Sequence, residues 1–268
     1  MLKLKRSLGQ NFLKDINVIK KISSLGKIEN QTIIEVGSGS GNLTKEIIKK
    51  KPKKIILIEK DKRLCQMLSK EFNGNQRCEV INKDILEYDL ERKFYGGVTI
   101  FGNLPYNIST QILAKFISLN SWPPFYNKII FMFQKEVADR ILARKNTKQY
   151  GRLSILTNLR LDVEDHFNVS KKCFFPIPKV DSKVVVFKPK TLVNYNILNI
   201  KNLEKITNIF FSSRRKMINK PFSKLFNNYE EVAKKLGIKL NLRPSELSYS
   251  DYYKITEIYE KNFYKLTT

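Results

Sequence analysis

Histidine is almost missing from this 268-residue chain: there is one, His166, against 50 lysines and arginines and 25 aspartates and glutamates. Cysteine is scarce as well. Cys65, Cys78 and Cys173 stand far apart without a CxxC pair, which excludes a disulfide framework and a structural zinc site and leaves three inert structural thiols. No apolar run approaches the length of a membrane span, and the amino terminus MLKLKRSLGQNF lacks the apolar stretch of a signal peptide. Low-complexity tracts and internal repeats are absent too. These absences lead to the expectation of a cytoplasmic monomer without membrane or metal.

Positive charge is present in excess. A formal net charge of +25 in a chain of this kind points to nucleic acid. Lysine far outnumbers arginine, and asparagine and isoleucine are plentiful, so codon usage contributes to the total and clustering is the better guide. Basic residues cluster at Lys3–Arg6, at Lys49–Lys54 (KKKPKK) and at Ser213–Lys220 (SRRKMINK). The second cluster reads as a solvated lysine face. The third follows Phe210 and Phe211 with almost no acids nearby, and marks Arg214, Arg215 and Lys216 as candidate nucleic-acid contacts. Binding through phosphates of this kind falls steeply with salt.

Short apolar runs recur between helical patterns. Thr32–Val36 (TIIEV) leads into Gly37-Ser38-Gly39-Ser40-Gly41, and NLTKEIIKK then has helical spacing. Lys54–Glu59 (KIILIE) precedes a helix over Asp61–Phe72. Arg77–Ile81, Val98–Gly102 (VTIFG) and Lys128–Phe133 (KIIFMF) are further strands, the last followed by a helix over Lys135–Ala143. Val163–Val169 and Ser182–Lys188 predict a final antiparallel edge. The fold class is therefore α/β, with a mostly parallel seven-stranded sheet covered on both faces. Residues 1–190 form this domain, 191–202 a polar linker, and 203–268 a small all-α domain. His166 reads as a structural residue of an edge strand, and Trp122, before Pro123-Pro124, as packing.

Chemistry concentrates at the carboxyl ends of the strands, where such sheets bind ligands. Glycines at 37, 39 and 41 give GxGxG, whereas a dinucleotide fingerprint needs glycine in place of Asn42; with no acid/base pair evident, a nicotinamide dehydrogenase is disfavoured. Glu59, ending its strand, is placed to accept both hydroxyls of an unphosphorylated ribose, and Asp84 an adenine amino group. Adenosine without phosphates fits S-adenosylmethionine. The segment Asn103-Leu104-Pro105-Tyr106 suits the other substrate. The Asn103 side-chain oxygen can accept one N–H of an exocyclic amine, the backbone carbonyl of Leu104 or Pro105 the other, and Tyr106 can stack on the ring, with Pro105 fixing the turn.

Seven further strings extend this pattern: GQNFL at Gly9–Leu13, EVGSGSGNLT at Glu35–Thr44, IEKD at Ile58–Asp61, NLPYNIST at Asn103–Thr110, KEVADR at Lys135–Arg140, YGRLS at Tyr150–Ser154 and FFPIPKVDS at Phe174–Ser182. In that order the chain resembles the ribosomal RNA adenine N6-dimethyltransferases, most closely the small-subunit branch, from Arg6 to Arg243–Leu247 (RPSEL). Ser38 departs from the proline of many members. The resemblance implies a Rossmann-like class I methyltransferase with a helical C-terminal domain. It implies that Asn11, Leu13, Gly37, Glu59, Asp84 and Asn103 bind S-adenosylmethionine. Asn103, Leu104, Pro105 and Tyr106 would grip the target amine, and Phe174 would close on the base from the opposite side. The implied partner is small-subunit (16S) ribosomal RNA in an immature subunit, dimethylated at two adjacent adenosines in the loop of its 3′-terminal hairpin. Two relatives of this reading are a large-subunit methylase and an assembly factor that binds RNA without essential catalysis.

Overall fold

The computed structural model describes residues 11–94 and 96–265. In chain order its elements are β1 (Phe12–Leu13), α1 (Ile16–Ser24), β2 (Thr32–Val36), α2 (Asn42–Lys49), β3 (Lys54–Glu59), α3 (Lys62–Glu71), β4 (Cys78–Asn82), β5 (Val98–Asn103), α4 (Ser109–Ile117), β6 (Tyr126–Gln134), α5 (Lys135–Ile141) and α6 (Arg152–Arg160). These are followed by β7 (Leu161–Val169), β8 (Phe174–Phe175), β9 (Ser182–Pro189), α7 (Ile200–Phe211), α8 (Asn219–Leu225), α9 (Tyr229–Leu236) and α10 (Tyr249–Lys265). The basic cluster at Lys3–Arg6 lies outside the described residues.

Two compact units share the chain: residues up to 138 with Asp162–Pro189, and Asp139–Leu161 with the residues from Lys190 on. This differs from a division near residue 190. Asp139–Leu161, placed with the sheet by sequence, belongs to the helical unit. The segment 191–202 is not an uncommitted linker either. Its last three residues are helical in α7, and the buried carboxylate of Glu260 accepts the N–H groups of Leu198 (2.7 Å) and Asn199 (3.0 Å). Polar composition hid this, because the acceptor lies about sixty residues away on α10.

In the first unit, seven strands run in the order β4-β3-β2-β5-β6-β9-β7. The first five are mutually parallel, and β9 is antiparallel to β6 with Met132 opposite Val184. Strands such as TIIEV and KIILIE are apolar almost throughout because helices cover both faces of a parallel sheet. Ile33, Ile55, Leu57 and Phe101 are essentially inaccessible to water, each side chain contributing about 1.5–3 kcal/mol by burial. α1 turns Ile19 and Ile22 to that core, and Asp15 caps it by accepting from the N–H groups of Asn17 and Val18. In α3 the inward residues are Leu64, Cys65 and Leu68, and Asp61 is the cap.

From β2 the chain steps outward to β3 and β4, then returns to β5 on the other side of β2. The connections leaving β2 and β5 therefore diverge, opening a crevice at their carboxyl ends. His166 is exposed on β7, at the end of the strand order, and Trp122 packs edge-on to Tyr126 with ring centres 6.4 Å apart.

The helical unit is held by aromatic residues. The Phe210 ring meets those of Phe222 and Tyr252 edge-on at 5.6 and 5.4 Å. Two of its buried tyrosines have bonded hydroxyls, Tyr252 donating to the Pro244 carbonyl (2.7 Å) and Tyr253 to that of Ile155 (2.9 Å), whereas the buried hydroxyl of Tyr150 has no partner among the described residues.

Candidate active site

The crevice between β2 and β5 continues into a cavity lined by Asn11–Leu13, the Gly37–Ser40 loop, Glu59 and Asn103–Ile108, with an apolar floor from Ile130, Met132 and Val184. Apart from that floor, these lining residues come from the amino-terminal arm and from the carboxyl ends of β2, β3 and β5. The glycine loop turns through left-handed backbone, with φ of 70° at Gly37 and 57° at Gly39. A Cβ on Gly39 would stand 2.9 Å from the Phe12 ring, so only glycine lets the arm lie on the loop. Asn42, which breaks the dinucleotide fingerprint, has a use here: its amide donates to the Leu13 carbonyl at 2.8 Å and ties the arm to α2.

Glu59 is buried, and its carboxylate accepts from the N–H groups of Gly39 (3.1 Å) and Asp61 (2.9 Å). Burial pushes its pKa up while these backbone bonds oppose the shift. A carboxylate has about four acceptor sites, so capacity for ribose hydroxyls remains. Glu35 is still more enclosed. Burial drives its pKa up to about 8, against the 2.6 Å bond donated by Thr44 and with further upward pressure from Glu59.

In the Asn103–Tyr106 segment the geometry chooses between alternatives left open by sequence. The Asn103 side-chain N–H donates to the Asn11 carbonyl (3.1 Å), which turns its oxygen outward as an acceptor. The Pro105 carbonyl accepts from Ile108 N–H (3.2 Å), whereas among the described residues nothing donates to the carbonyl of Leu104. Two acceptors, Asn103 Oδ1 and Leu104 O, are thus offered. Tyr106 is half-buried, its hydroxyl 2.6 Å from that of Ser182 at the start of β9, which fixes the ring.

Two expected residues do not face the cavity. Phe174 is wholly buried in the apolar core with Leu13, so it cannot close on a base in this structure. β1 and β8 pair with Leu13 opposite Phe174 and Phe12 opposite Phe175; alternation sends the first pair inward and the second outward. Asp84 accepts from Leu86 N–H (2.9 Å) and pairs with Lys60 (2.6 Å), which itself borders the cavity. Its side chain serves its own turn and Lys60. Phe12, Asn42, Lys60 and Met132 escaped sequence reading, since no spacing marks a residue whose role comes from a distant loop.

Of the candidate nucleic-acid contacts, Arg215 and Lys216 are exposed, while Arg214 is half-buried and donates to the Thr147 carbonyl at 3.1 Å. In the Lys49–Lys54 cluster, Lys49 and Lys54 are ion-paired to Glu46 and Glu79. Among the described residues no group of histidine, cysteine, aspartate or glutamate could hold a metal ion, and no helix is long and apolar enough to cross a membrane.

A mostly parallel sheet in this order, with a glycine loop, a buried acid and a proline turn gathered at its carboxyl ends, is that of a Rossmann-like methyltransferase. The family model described as ribosomal RNA adenine dimethylase matches residues 1–261, and the chain belongs to that family, whose members draw their methyl group from S-adenosylmethionine. Its relatives include proteins named ribosomal RNA small subunit methyltransferase A. The one from Pelagibacter ubique is 47% identical over 96% of this chain and 97% of its own. The one from Ehrlichia ruminantium is 41% identical over 94% and 95%. A dimethyladenosine transferase from Plasmodium falciparum has a similar solved structure, with a TM-score of 0.76, 27% identity, and coverage of 94% and 98%.

Proposed function

We propose that this protein dimethylates N6 of two adjacent adenosines in the loop of the 3′-terminal hairpin of small-subunit ribosomal RNA. It acts as a cytoplasmic monomer on an immature subunit. The observation that carries this reading is the pair of acceptors at Asn103 Oδ1 and Leu104 O, one oriented by the Asn11 carbonyl and the other without a donor among the described residues.

An adenine N6 is a poor nucleophile because its lone pair is shared with the ring. Two acceptors on its two N–H bonds turn the amine so that the lone pair points outward, and Tyr106 holds the plane of the base. Bound S-adenosylmethionine supplies an electrophilic methyl group on a sulfonium sulfur. Asn11, Leu13, Gly37, Glu59 and Asn103 hold that cofactor, with Phe12 over the loop, and Asp84 contributes through Lys60. No side chain needs to act as nucleophile; positioning and preorganised dipoles carry the rate gain. The base must leave its stack, at a cost of a few kcal/mol, and stacking on Tyr106 offsets part of it. Arg215 and Lys216 contact RNA phosphates, whereas Arg214 supports the loop at Thr147.

Separated immature small and large subunits, offered with methyl-labelled cofactor, test the reading. Label is expected as dimethyladenosine at adjacent positions of small-subunit RNA. Asn103→Ala is expected to lower kcat by roughly 100-fold or more, as loss of an oriented polar group does, while cofactor binding falls only modestly. Label in large-subunit RNA, or normal turnover by the variant, overturns the assignment.

A further inference from the structure

The inference that follows rests on the RNA-methylating role above, and concerns a surface outside the cofactor pocket and the Asn103–Tyr106 turn. We propose that Phe175 and Ile177 form a stacking platform for the RNA nucleotide next to the target adenosine.

Three large apolar side chains lie exposed within six residues: Phe175 at 58%, Ile177 at 59% and Val180 at 44%. Water does not reward such exposure, and a cluster of this kind on a soluble fold marks a binding face. Its position follows from the β1–β8 ribbon. Phe12 and Phe175 are opposite each other in register and project to the same face, and Phe12 lines the cavity. The loop's far end is fixed to the reacting segment, because Ser182 holds the Tyr106 hydroxyl and Asp181 accepts the N–H of Lys171 at 2.9 Å. The apolar run is thus tied at one end to the cofactor arm and at the other to the residue that stacks on the target.

Charge selects the occupant. Lys14, Lys171, Lys172 and Lys179 are exposed around the loop, and among the described residues none of them has an ion-pair partner. Flat apolar surface interleaved with unpaired lysines suits single-stranded nucleic acid, in which bases stack and phosphates pair with cations. Extruding one base also leaves its neighbour without a stacking partner. Phe175 replaces that partner, and Ile177 extends the contact across the ring.

The test uses the full chain, immature small subunits, and variants Phe175→Ala and Phe175→Trp. Phe175→Ala is expected to raise KM for the subunit roughly 5- to 150-fold, the loss that removal of a stacking aromatic gives, with kcat and cofactor Kd little changed and Phe175→Trp restoring KM. A 2-aminopurine placed beside the target in a hairpin RNA is expected to be quenched by the wild-type protein and to brighten with Phe175→Ala. A photo-crosslinking side chain at position 175 is expected to label RNA. If the wild type methylates the subunit while Phe175→Ala leaves KM and quenching unaltered, the platform is refuted; so too if the crosslink falls on a ribosomal protein. If the wild type methylates no small-subunit RNA, the underlying functional reading fails instead.

Discussion

Asn103 takes its orientation from a carbonyl 92 positions earlier in the chain. The residue type suggests an amine-binding turn, as proposed above, but which of its two side-chain atoms is bonded within the protein is decided by Asn11. Choice between neighbouring residues is equally tertiary at Phe174 and Phe175. Both are aromatic, both precede Pro176, and only the pairing with β1 assigns one to the core and the other to solvent. Gly39 allows a direct check. Gly39→Ala would force a side chain into left-handed backbone at about 1–2 kcal/mol and press its Cβ on the Phe12 ring. The expected outcome, read by titration calorimetry, is cofactor binding weakened about tenfold, with the fold retained in circular dichroism. Unchanged affinity would show that the arm does not rest on the loop as described.

Among the elements, short ones matter most to the site. The two-residue strands β1 and β8 are the least visible in sequence, having no periodicity to detect, yet they set the arm over the glycine loop and aim Phe12 and Phe175. The parallel strands were legible because burial on both faces demands continuous apolar runs, with ends mostly within a residue or two of the sequence reading. α10 shows a further kind of hidden link. Its Glu260 holds the backbone of Leu198 and Asn199 and, at 2.8 Å, the side chain of Asn202. Removing a buried acceptor leaves those donors unsatisfied, so Glu260→Ala is expected to cost about 1–3 kcal/mol in urea unfolding followed by helical circular dichroism. A loss well below that range would mean water replaces the carboxylate freely.

For the molecule as a whole, the most consequential buried charge is that withheld by Glu35. With its pKa raised from the ordinary 4.5 to about 8, the folded chain keeps a proton that the unfolded chain releases. Stability from this group is complete below its unfolded pKa and declines as pH rises through the folded value, in the window from about pH 4.5 to 8. Unfolding free energies measured across that window are expected to fall with pH in the wild type and to be flatter in Glu35→Gln. Parallel slopes would place the proton elsewhere.

Sequence alone determined the alternation of strands and helices, the absence of disulfide and zinc-site patterns, the basic character and the order of the strand-end motifs. Each of these follows from residue type or local spacing. The turn at Asn103–Tyr106 was legible for the same reason, since proline fixes its own φ and restricts the residue before it. Only the tertiary structure decided that Asp84 serves Lys60, that Phe175 and not Phe174 is exposed, that Leu104 offers the open carbonyl, and that Asp139–Leu161 belongs with the helices. Those outcomes depend on partners tens of residues away, and a hydrogen bond or a buried contact leaves no period in the chain that makes it.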